Sequence, residues 1–364
     1  MKSSMRTSFF SSVQDVIEGK KKRPIFKALL AFASVVFLTA IKLKNALYDK
    51  SLISSKRAPL KVVCIGNLTA GGTGKTPFTL LLAKELKNEK IAILSRGYRS
   101  QSENNNVLVS TESSAEEIGD EPLLLFRRLK KVPIYIGKDR FRSAVCASRR
   151  GAAIALLDDG LQHRKLAQDV KIILLDARDP WGKGHFLPRG YLRENPCRLQ
   201  DADFIVLNHV SDEQKASSLK KEIASLSSAP ILMMRYRLGC IRNLKREEIP
   251  LKKGIKVGAF CAIARPGSFE KTLNRLDIVI TNHLFYPDHE PIDIDCLQRF
   301  AKCAKEKGAD ALFCTEKDAV KLPESLSLCL PIYYLEMEME LVSSVAEWQM
   351  LIEKIRLPHD NESI

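Results

Sequence analysis

The glycine-rich segment of residues 69–76 constrains the fold more than any other, because it lies between an apolar strand ending at Ile65 and a helix beginning near Pro77. In a phosphate-binding loop, glycines let backbone N–H groups face phosphate oxygens, a lysine reaches the β- and γ-phosphates, and a hydroxyl ligates magnesium. The segment consists of Thr69, Ala70, Gly71, Gly72, Thr73, Gly74, Lys75 and Thr76. Thr69 stands where the usual pattern has its first glycine. The segment predicts binding of a nucleoside triphosphate with Mg²⁺, and the lack of an N-K-x-D motif weighs against a GTPase.

Two adjacent carboxylates, Asp158 and Asp159, follow the apolar run of residues 153–157. A buried strand delivers such residues to its carboxyl end, which is where ligands bind in open α/β sheets. Mg²⁺ prefers oxygen ligands of this kind. One of the two could cap the following turn, but the pair together predicts a magnesium site.

Short β-rich runs alternate with helical stretches from residue 60 onwards, which is typical of a doubly wound, mostly parallel sheet. The basic stretch 236–256 lacks a long apolar run and is predicted to be a connector. We therefore expect an α/β P-loop NTPase fold with an N-terminal membrane-associated helix in residues 1–50. The P-loop domain should occupy 51–236, and a smaller C-terminal α/β domain with a closing helix should occupy 237–364. The strands are predicted at 62–65, 91–94, 106–109, 132–136, 153–157, 171–175, 204–207, 231–234, 256–261, 278–281 and 311–314.

The net charge of +15 indicates an anionic partner. Aromatic residues are not interleaved with basic ones and no zinc-finger spacing occurs, so we expect no nucleic-acid partner. The nine cysteines form no C-x-x-C pair. Most of them lie in apolar runs, which favours reduced core cysteines in a cytosolic compartment.

The N-terminal segment contains a run of fourteen uncharged residues, 28–41. This run is shorter than the roughly 20 residues needed to cross a bilayer. The helical pattern continues to Tyr48, and lysines flank the run on both sides. A helix lying in the membrane, a core helix and a removed signal all remain open. The basic run 20–23 favours the first, at an anionic cytoplasmic leaflet.

Several longer motifs resemble those of the tetraacyldisaccharide 4′-kinases, over roughly residues 25–325. They occur in the family's order and include segments 63–77, 95–99, 119–122, 137–140, 157–164, 187–194, 288–289 and 315–321. One loop departs from the family, since Ala262-Ile-Ala-Arg-Pro266 replaces a Gly-Ile-Gly-Asn-Pro type of turn. This departure puts in doubt how closely that loop follows the family.

The resemblance implies that the domain of residues 51–236 is a kinase domain. The γ-phosphoryl group of ATP would pass to the 4′-hydroxyl of tetraacyldisaccharide 1-phosphate, forming lipid IVA in lipid A biosynthesis. It further implies Mg²⁺, a lipid-linked disaccharide phosphate as substrate, and the cytoplasmic face of a bacterial inner membrane. We expect a monomer.

The resemblance also assigns roles to residues. It implies that Asp120 is the catalytic aspartate with His289 as its partner, and that Arg193 contacts the transferred phosphate. Lys75, Thr73 and Thr76 would serve the phosphates and magnesium, together with Asp158 and Asp159. The residues expected to line the cleft are Arg96, Tyr98, Glu121, Arg140, Gln162, His163 and Glu194.

Without the resemblance, Asp120 could equally form a turn and His289 could be a solvated loop residue. Two other functions also fit the sequence. One is a soluble small-molecule kinase whose N-terminal helix belongs to the core. The other is a membrane-recruited regulatory ATPase, which would hydrolyse nucleotide without a phosphorylated small product.

Overall fold

The computed structural model describes residues 13–359, apart from positions 14, 15, 22, 99, 289 and 344. The predicted catalytic partner His289 thus lies outside the described residues. The chain divides into two compact units. Unit 1 comprises residues up to 96, 139–235 and those from 340 onwards, whereas unit 2 comprises 97–138 and 236–339. These bounds differ from the three consecutive segments expected from the sequence, because the chain passes from unit 1 to unit 2 twice and returns twice.

The helices and strands are numbered in chain order. The helices are α1 (Pro24–Asp49), α2 (Lys75–Glu85), α3 (Ala115–Ile118), α4 (Asp120–Leu129), α5 (Arg140–Arg149), α6 (Glu213–Ala224), α7 (Pro266–Arg275), α8 (Ile294–Glu306), α9 (Glu316–Ala319) and α10 (Val345–Arg356). The strands are β1 (Lys61–Asn67), β2 (Ile91–Ser95), β3 (Val107–Leu108), β4 (Ile134–Ile136), β5 (Ile154–Asp158), β6 (Val170–Asp176), β7 (Phe204–Asn208), β8 (Ile231–Asn243), β9 (Glu248–Ile249), β10 (Lys256–Cys261), β11 (Val279–Phe285), β12 (Ala311–Thr315) and β13 (Ile332–Ser343).

Unit 1 contains a parallel sheet with the strand order β8-β7-β6-β1-β5-β2. Its central strands are apolar and buried on both faces, as expected for a sheet covered by helices. The carboxyl ends of these strands meet at one edge. Each of five strands ends there in a buried polar residue, namely Asn67, Ser95, Asp158, Asp176 and Asn208. This edge is where open α/β sheets bind ligands.

The closing helix α10 belongs to unit 1. Leu351 is fully buried, and the ring of Trp348 meets the ring of Phe78 edge-on at 6.2 Å. The Nζ of Lys61 donates to the carbonyl oxygen of Lys354 at 2.5 Å. The sequence predicts this helix as part of the C-terminal domain of residues 237–364, because an amphipathic pattern does not specify which core a helix covers.

Unit 2 is built around parallel strands in the order β11-β10-β12-β13. Two apolar clusters form its core, one including Phe260 and Leu297 and the other Leu273 and Phe313. Strand β3 pairs with β4 in antiparallel fashion. Residues 97–138, which contain β3 and β4, belong to this smaller unit.

The predicted connector at 236–256 was wrong in its first part, because β8 continues to Asn243. Its neighbour β13 was not predicted. Charged pairs hold the strands where apolar runs are short: Arg237 Nη2 lies 2.8 Å from Glu338 Oε2, and Arg242 Nε lies 2.6 Å from Glu336 Oε2. Cross-strand pairs of opposite charge stabilise a sheet without a continuous apolar segment.

Helix α1 is 26 residues long, and its most apolar 18-residue window has a mean hydropathy of 2.1 with 11% of it buried. By length and composition alone it could cross a membrane. It contacts the rest of unit 1 in part through polar groups, since Ser34 Oγ donates to the carbonyl oxygen of Phe186 at 2.8 Å. Its exposed apolar residues are Ile25, Leu29, Phe32, Val35, Val36 and Leu43. The exposure of these apolar side chains argues against the expectation that α1 is a core helix.

Candidate active site

The phosphate-binding loop lies between β1 and α2, as predicted. Gly71 and Gly74 have φ angles of 106° and 92°, which glycine adopts without steric cost. A Cβ added at Gly71 or Gly72 would meet no atom within 4 Å, so this side of the loop is open. Lys75 is the first residue of α2. The loop therefore combines free space with a helix N-terminus, an arrangement that binds phosphate.

Two buried asparagines brace the loop, and neither was identified from the sequence. Asn67 Nδ2 donates to Thr73 Oγ1 at 2.9 Å and to the carbonyl oxygen of Thr69 at 2.6 Å. Asn208 Nδ2 donates to the carbonyl oxygen of Thr73 at 3.0 Å. Each asparagine is the last residue of a buried strand. A polar residue at that position was the only available sequence signal.

The loop also pairs with the segment that carries Arg193. The Ala70 N–H donates to the carbonyl oxygen of Tyr191 at 2.7 Å, and the Arg193 N–H donates to that of Leu68 at 2.7 Å. Thr69 forms an antiparallel bridge with Leu192. Because Thr69 has no positive φ angle, its conformation does not require the glycine of the usual pattern. The pairing also places Arg193 beside the loop.

Asp159 brings two cations together at this edge of the sheet. Its Oδ1 lies 3.4 Å from Lys75 Nζ and 3.1 Å from Arg193 Nη1. Burial alone would raise the pKa of Asp159, but Lys75 and Arg193 outweigh it and hold the pKa below its ordinary value. The carboxylate is therefore ionised at neutral pH and keeps both cations close to the phosphate loop.

The predicted magnesium ligands lie in the same place. Asp158 is buried at the end of β5, and Thr76 is half-buried in the first turn of α2. Within the described part of the chain, no group of three or more His, Cys, Asp or Glu residues has the geometry of a metal site. Mg²⁺ in nucleotide sites is held by one or two carboxylates together with phosphates and waters. Asp158, Asp159 and the Thr76 hydroxyl fit that requirement.

Glu194 and Gln162 link this site to helix α1. Glu194 is buried, and its Oε2 accepts a hydrogen bond from Asn45 Nδ2 of α1 at 2.9 Å. Burial raises the pKa of Glu194, and the bond from Asn45 only partly offsets this. Gln162 Nε2 donates to the carbonyl oxygen of Asn67 at 3.1 Å, while Lys44 Nζ donates to that of Gln162 at 2.8 Å.

The remaining predicted cleft residues of unit 1 are Arg96, Arg140 and His163. His163 is half-buried, and burial together with the nearby charge of Arg140 lowers its pKa to about 4. The imidazole is therefore neutral at physiological pH. Arg140 is itself buried at the start of α5. Arg96 is exposed just after β2.

Unit 2 carries the predicted catalytic aspartate. Asp120 is the first residue of α4 and is 9% exposed. Its Oδ2 lies 3.8 Å from Lys317 Nζ and 3.9 Å from Lys321 Nζ. Glu121 Oε1 lies 3.2 Å from Lys317 Nζ. Tyr98, also in unit 2, has a side chain that is 55% exposed.

Comparisons with known proteins identify the family of this chain. A sequence profile of the family described as tetraacyldisaccharide-1-P 4′-kinase, LpxK, matches residues 26–356. A tetraacyldisaccharide 4′-kinase of Syntrophus aciditrophicus is 36% identical over 93% of this chain and 95% of its own. One of Chlamydia abortus is 33% identical over 86% of this chain and 88% of its own.

A solved structure is similar as well. The LpxK of Aquifex aeolicus, crystallised in complex with ATP, matches with a TM-score of 0.73 and 30% identity. The match covers 91% of this chain and 99% of that one. Taken with the phosphate loop and the residues grouped around it, these similarities show that the chain belongs to the tetraacyldisaccharide-1-P 4′-kinase family.

Proposed function

We propose that this protein transfers the γ-phosphoryl group of ATP to the 4′-hydroxyl of tetraacyldisaccharide 1-phosphate, giving lipid IVA in lipid A biosynthesis. The observation that carries the proposal is the convergence of Lys75 and Arg193 beside an open phosphate loop. In the reaction a bond forms between the hydroxyl oxygen and the γ-phosphorus. The bond from that phosphorus to the β-phosphate oxygen breaks, and the hydroxyl proton leaves.

The residues of unit 1 hold and neutralise the triphosphate. Phosphoryl transfer has a loose transition state, so positioning and charge neutralisation contribute most of the catalysis. Lys75 binds the β- and γ-phosphates, and Arg193 offers a guanidinium that contacts two oxygens at once. Both contact Asp159, which holds them beside the phosphate loop. Mg²⁺, held by Thr76, Asp158 and Asp159, would neutralise further charge between the phosphates.

Asp120 is proposed to accept the proton of the sugar hydroxyl, with His289 as its partner. A carboxylate is mostly ionised near neutral pH and can take up a proton as the hydroxyl becomes a nucleophile. Arg96, Tyr98, Glu121, Arg140, Gln162, His163 and Glu194 are proposed to line the cleft. Of these, Gln162 donates a hydrogen bond to the carbonyl oxygen of Asn67, which precedes the loop, and Glu194 accepts one from Asn45 of α1.

The catalytic assignment is tested by transfer of label from γ-labelled ATP to the lipid disaccharide monophosphate. Lys75→Ala should abolish labelled lipid, and Asp120→Asn should nearly abolish it. Lys87→Ala, at an exposed position just after α2, is the matched control and should leave the rate unchanged. Equal labelling by all four proteins would refute the assignment. Release of ADP without labelled lipid would instead support a regulatory ATPase.

Helix α1 is proposed to lie against the cytoplasmic face of the bacterial inner membrane, with the protein acting as a monomer. Its apolar face is exposed, and Lys20, Lys21 and Arg23 precede it, so an anionic leaflet would attract its start. Binding to vesicles with anionic phospholipid should fall in the double variant Phe32→Glu, Val36→Glu. Val279→Glu, at an exposed site in unit 2, should bind as wild type does. Equal binding by all three would favour a soluble kinase.

A further inference from the structure

Charged side chains from three segments of unit 2 meet around Asp120. The first segment is the start of α4, which provides Asp120 and Glu121. The second is α9 with the turn after it, which provides Lys317 and Lys321. The third is the stretch 286–290, which follows β11 and contains the position of His289. The proposed role of Asp120 does not by itself explain why two lysines lie here.

Each lysine contacts Asp120 and also one neighbour of His289. Lys317 Nζ lies 3.8 Å from Asp120 Oδ2 and 3.9 Å from Asp288 Oδ1. Lys321 Nζ lies 3.9 Å from the same Asp120 oxygen and donates to the carbonyl oxygen of Glu290 at 3.2 Å. The chain on both sides of position 289 is therefore held by the two groups that approach the carboxylate of Asp120.

Lys321 is itself anchored. Its Nζ lies 3.2 Å from Asp318 Oδ1, and Asp318 is fully buried. Asp318 accepts hydrogen bonds from Thr315 Oγ1 at 2.6 Å and from the Ala262 N–H at 3.1 Å. The family's usual loop is altered at Ala262–Pro266, yet its first N–H still holds this aspartate. The ammonium of Lys321 thus has a fixed position rather than a mobile surface one.

The charges explain what the lysines do. The ammonium groups of Lys317 and Lys321 lie beside the carboxylate of Asp120. Among the described residues, these lysines also contact the carboxylates of Glu121, Asp288 and Asp318. Burial and neighbouring carboxylates both disfavour an ionised aspartate, whereas an ammonium at this distance favours it. Without the lysines, a larger fraction of Asp120 would carry a proton at a given pH, and a protonated carboxyl cannot accept the proton of the substrate.

We propose that Lys317 and Lys321 are positioning residues that keep Asp120 ionised and hold Asp288 and Glu290 in place through their contacts. This inference rests on the proposed role of Asp120 as proton acceptor. Burial alone would lower the pKa of Lys317, but Glu121, Asp120 and Asp288 outweigh it and raise the pKa above its ordinary value. Lys317 thus stays cationic wherever the enzyme works. Both ammonium groups already lie among carboxylates, which favours an internal role over binding of a substrate phosphate.

The test is the pH dependence of lipid phosphorylation at saturating substrates, for wild type, Lys317→Met, Lys321→Met and Lys317→Arg. Loss of a cation at this distance disfavours the ionised carboxylate of Asp120. The acid limb of the profile should therefore move to higher pH in both Met variants, and their rates should approach wild type at alkaline pH. Lys317→Arg retains the charge and should keep the limb near its wild-type position. Lys302→Met, at an exposed position on α8, is the matched control.

Profiles that are merely scaled down at every pH, or that do not change, would overturn the inference. Loss of ATP affinity together with turnover in both Met variants would also overturn it, because the lysines would then be needed for folding. Asp120→Asn separates this failure from that of the proposed function. If Asp120→Asn stays active, Asp120 is not the proton acceptor; if it is inactive while the Met variants keep the wild-type limb, only the lysine proposal fails.

Discussion

Asn208 is the residue whose replacement most directly tests how the phosphate loop is held open. It is fully buried at the end of β7, and its Nδ2 donates to the carbonyl oxygen of Thr73 at 3.0 Å. Its Oδ1 accepts a hydrogen bond from the His209 N–H at 2.7 Å. Asn208→Ala removes both bonds. Removing one partner of a buried hydrogen bond costs about 1–3 kcal/mol.

That cost should appear partly as weaker nucleotide binding, because a loop that is no longer braced must be ordered when the triphosphate binds. If the whole cost of about 1–3 kcal/mol appears in nucleotide binding, the affinity for ATP falls by about 5- to 150-fold. Asn67→Ala, which removes the donor to Thr69 and Thr73, should act in the same direction.

Isothermal titration of ATP with Mg²⁺ measures this effect. Asn274→Ala, at an exposed position on α7, provides a control with the same chemical change. Thermal unfolding of each variant separates loop effects from a general loss of stability. If Asn208→Ala binds ATP as tightly as wild type, the side-chain brace does not set the loop's conformation and the reasoning is refuted.

Three further predictions concern the stability of the folded protein. The pKa of Asp159 lies below its ordinary value in the folded protein; its contribution to stability is therefore present at neutral pH and lost as the pH falls. Asp159→Asn should lower the protein's resistance to urea at neutral pH, and the difference from wild type should shrink as the pH falls below the ordinary pKa of an aspartate; a difference that does not change with pH would contradict this. The pKa of Glu194 is raised, so wild type should lose stability as the pH rises through that pKa. Glu194→Gln should melt no lower than wild type at neutral pH, and a clearly lower melting temperature would show that the carboxylate charge is needed. Leu351→Ala in α10 should cost about 2–5 kcal/mol in urea unfolding, whereas Met350→Ala, 51% exposed, should cost little; similar costs would argue against α10 packing on unit 1.

The phosphate loop and the sheet around it could be predicted because their signals are local. A glycine-rich run between a strand and a helix can be recognised from consecutive residues alone. The same holds for β5, which ends at Asp158 with Asp159 directly after it. The strand β10 was predicted at its observed bounds, Lys256–Cys261. Predictions of this kind depend on a few consecutive residues, and tertiary context only reinforces them.

Strand β13 shows a local signal that was overlooked. Residues Glu336 to Glu340 alternate acidic and methionine side chains, which is the period of a strand with two different faces. The acidic face pairs with the arginines of β8. The stretch 236–256 was predicted to be a connector because it lacks a long apolar run, although β8 extends into it and pairs with β13.

Other features have no local signal. Asn208 holds Thr73 across a separation of 135 residues, and nothing near Asn208 indicates that partner. Lys317 and Lys321 belong to a family motif, segment 315–321, but the motif does not indicate their contact with Asp120. That contact depends on folding segment 97–138 into unit 2. The division of the chain into discontinuous units likewise depends on contacts between distant segments. The roles of Asp120 and His289 remain predictions.

The most direct test of the account is mass spectrometry of tetraacyldisaccharide 1-phosphate after incubation with the purified protein, ATP and Mg²⁺. The account predicts that the lipid gains one phosphoryl group with wild type and gains none with Lys75→Ala. ATP consumption by wild type with no change in the mass of the lipid would contradict it.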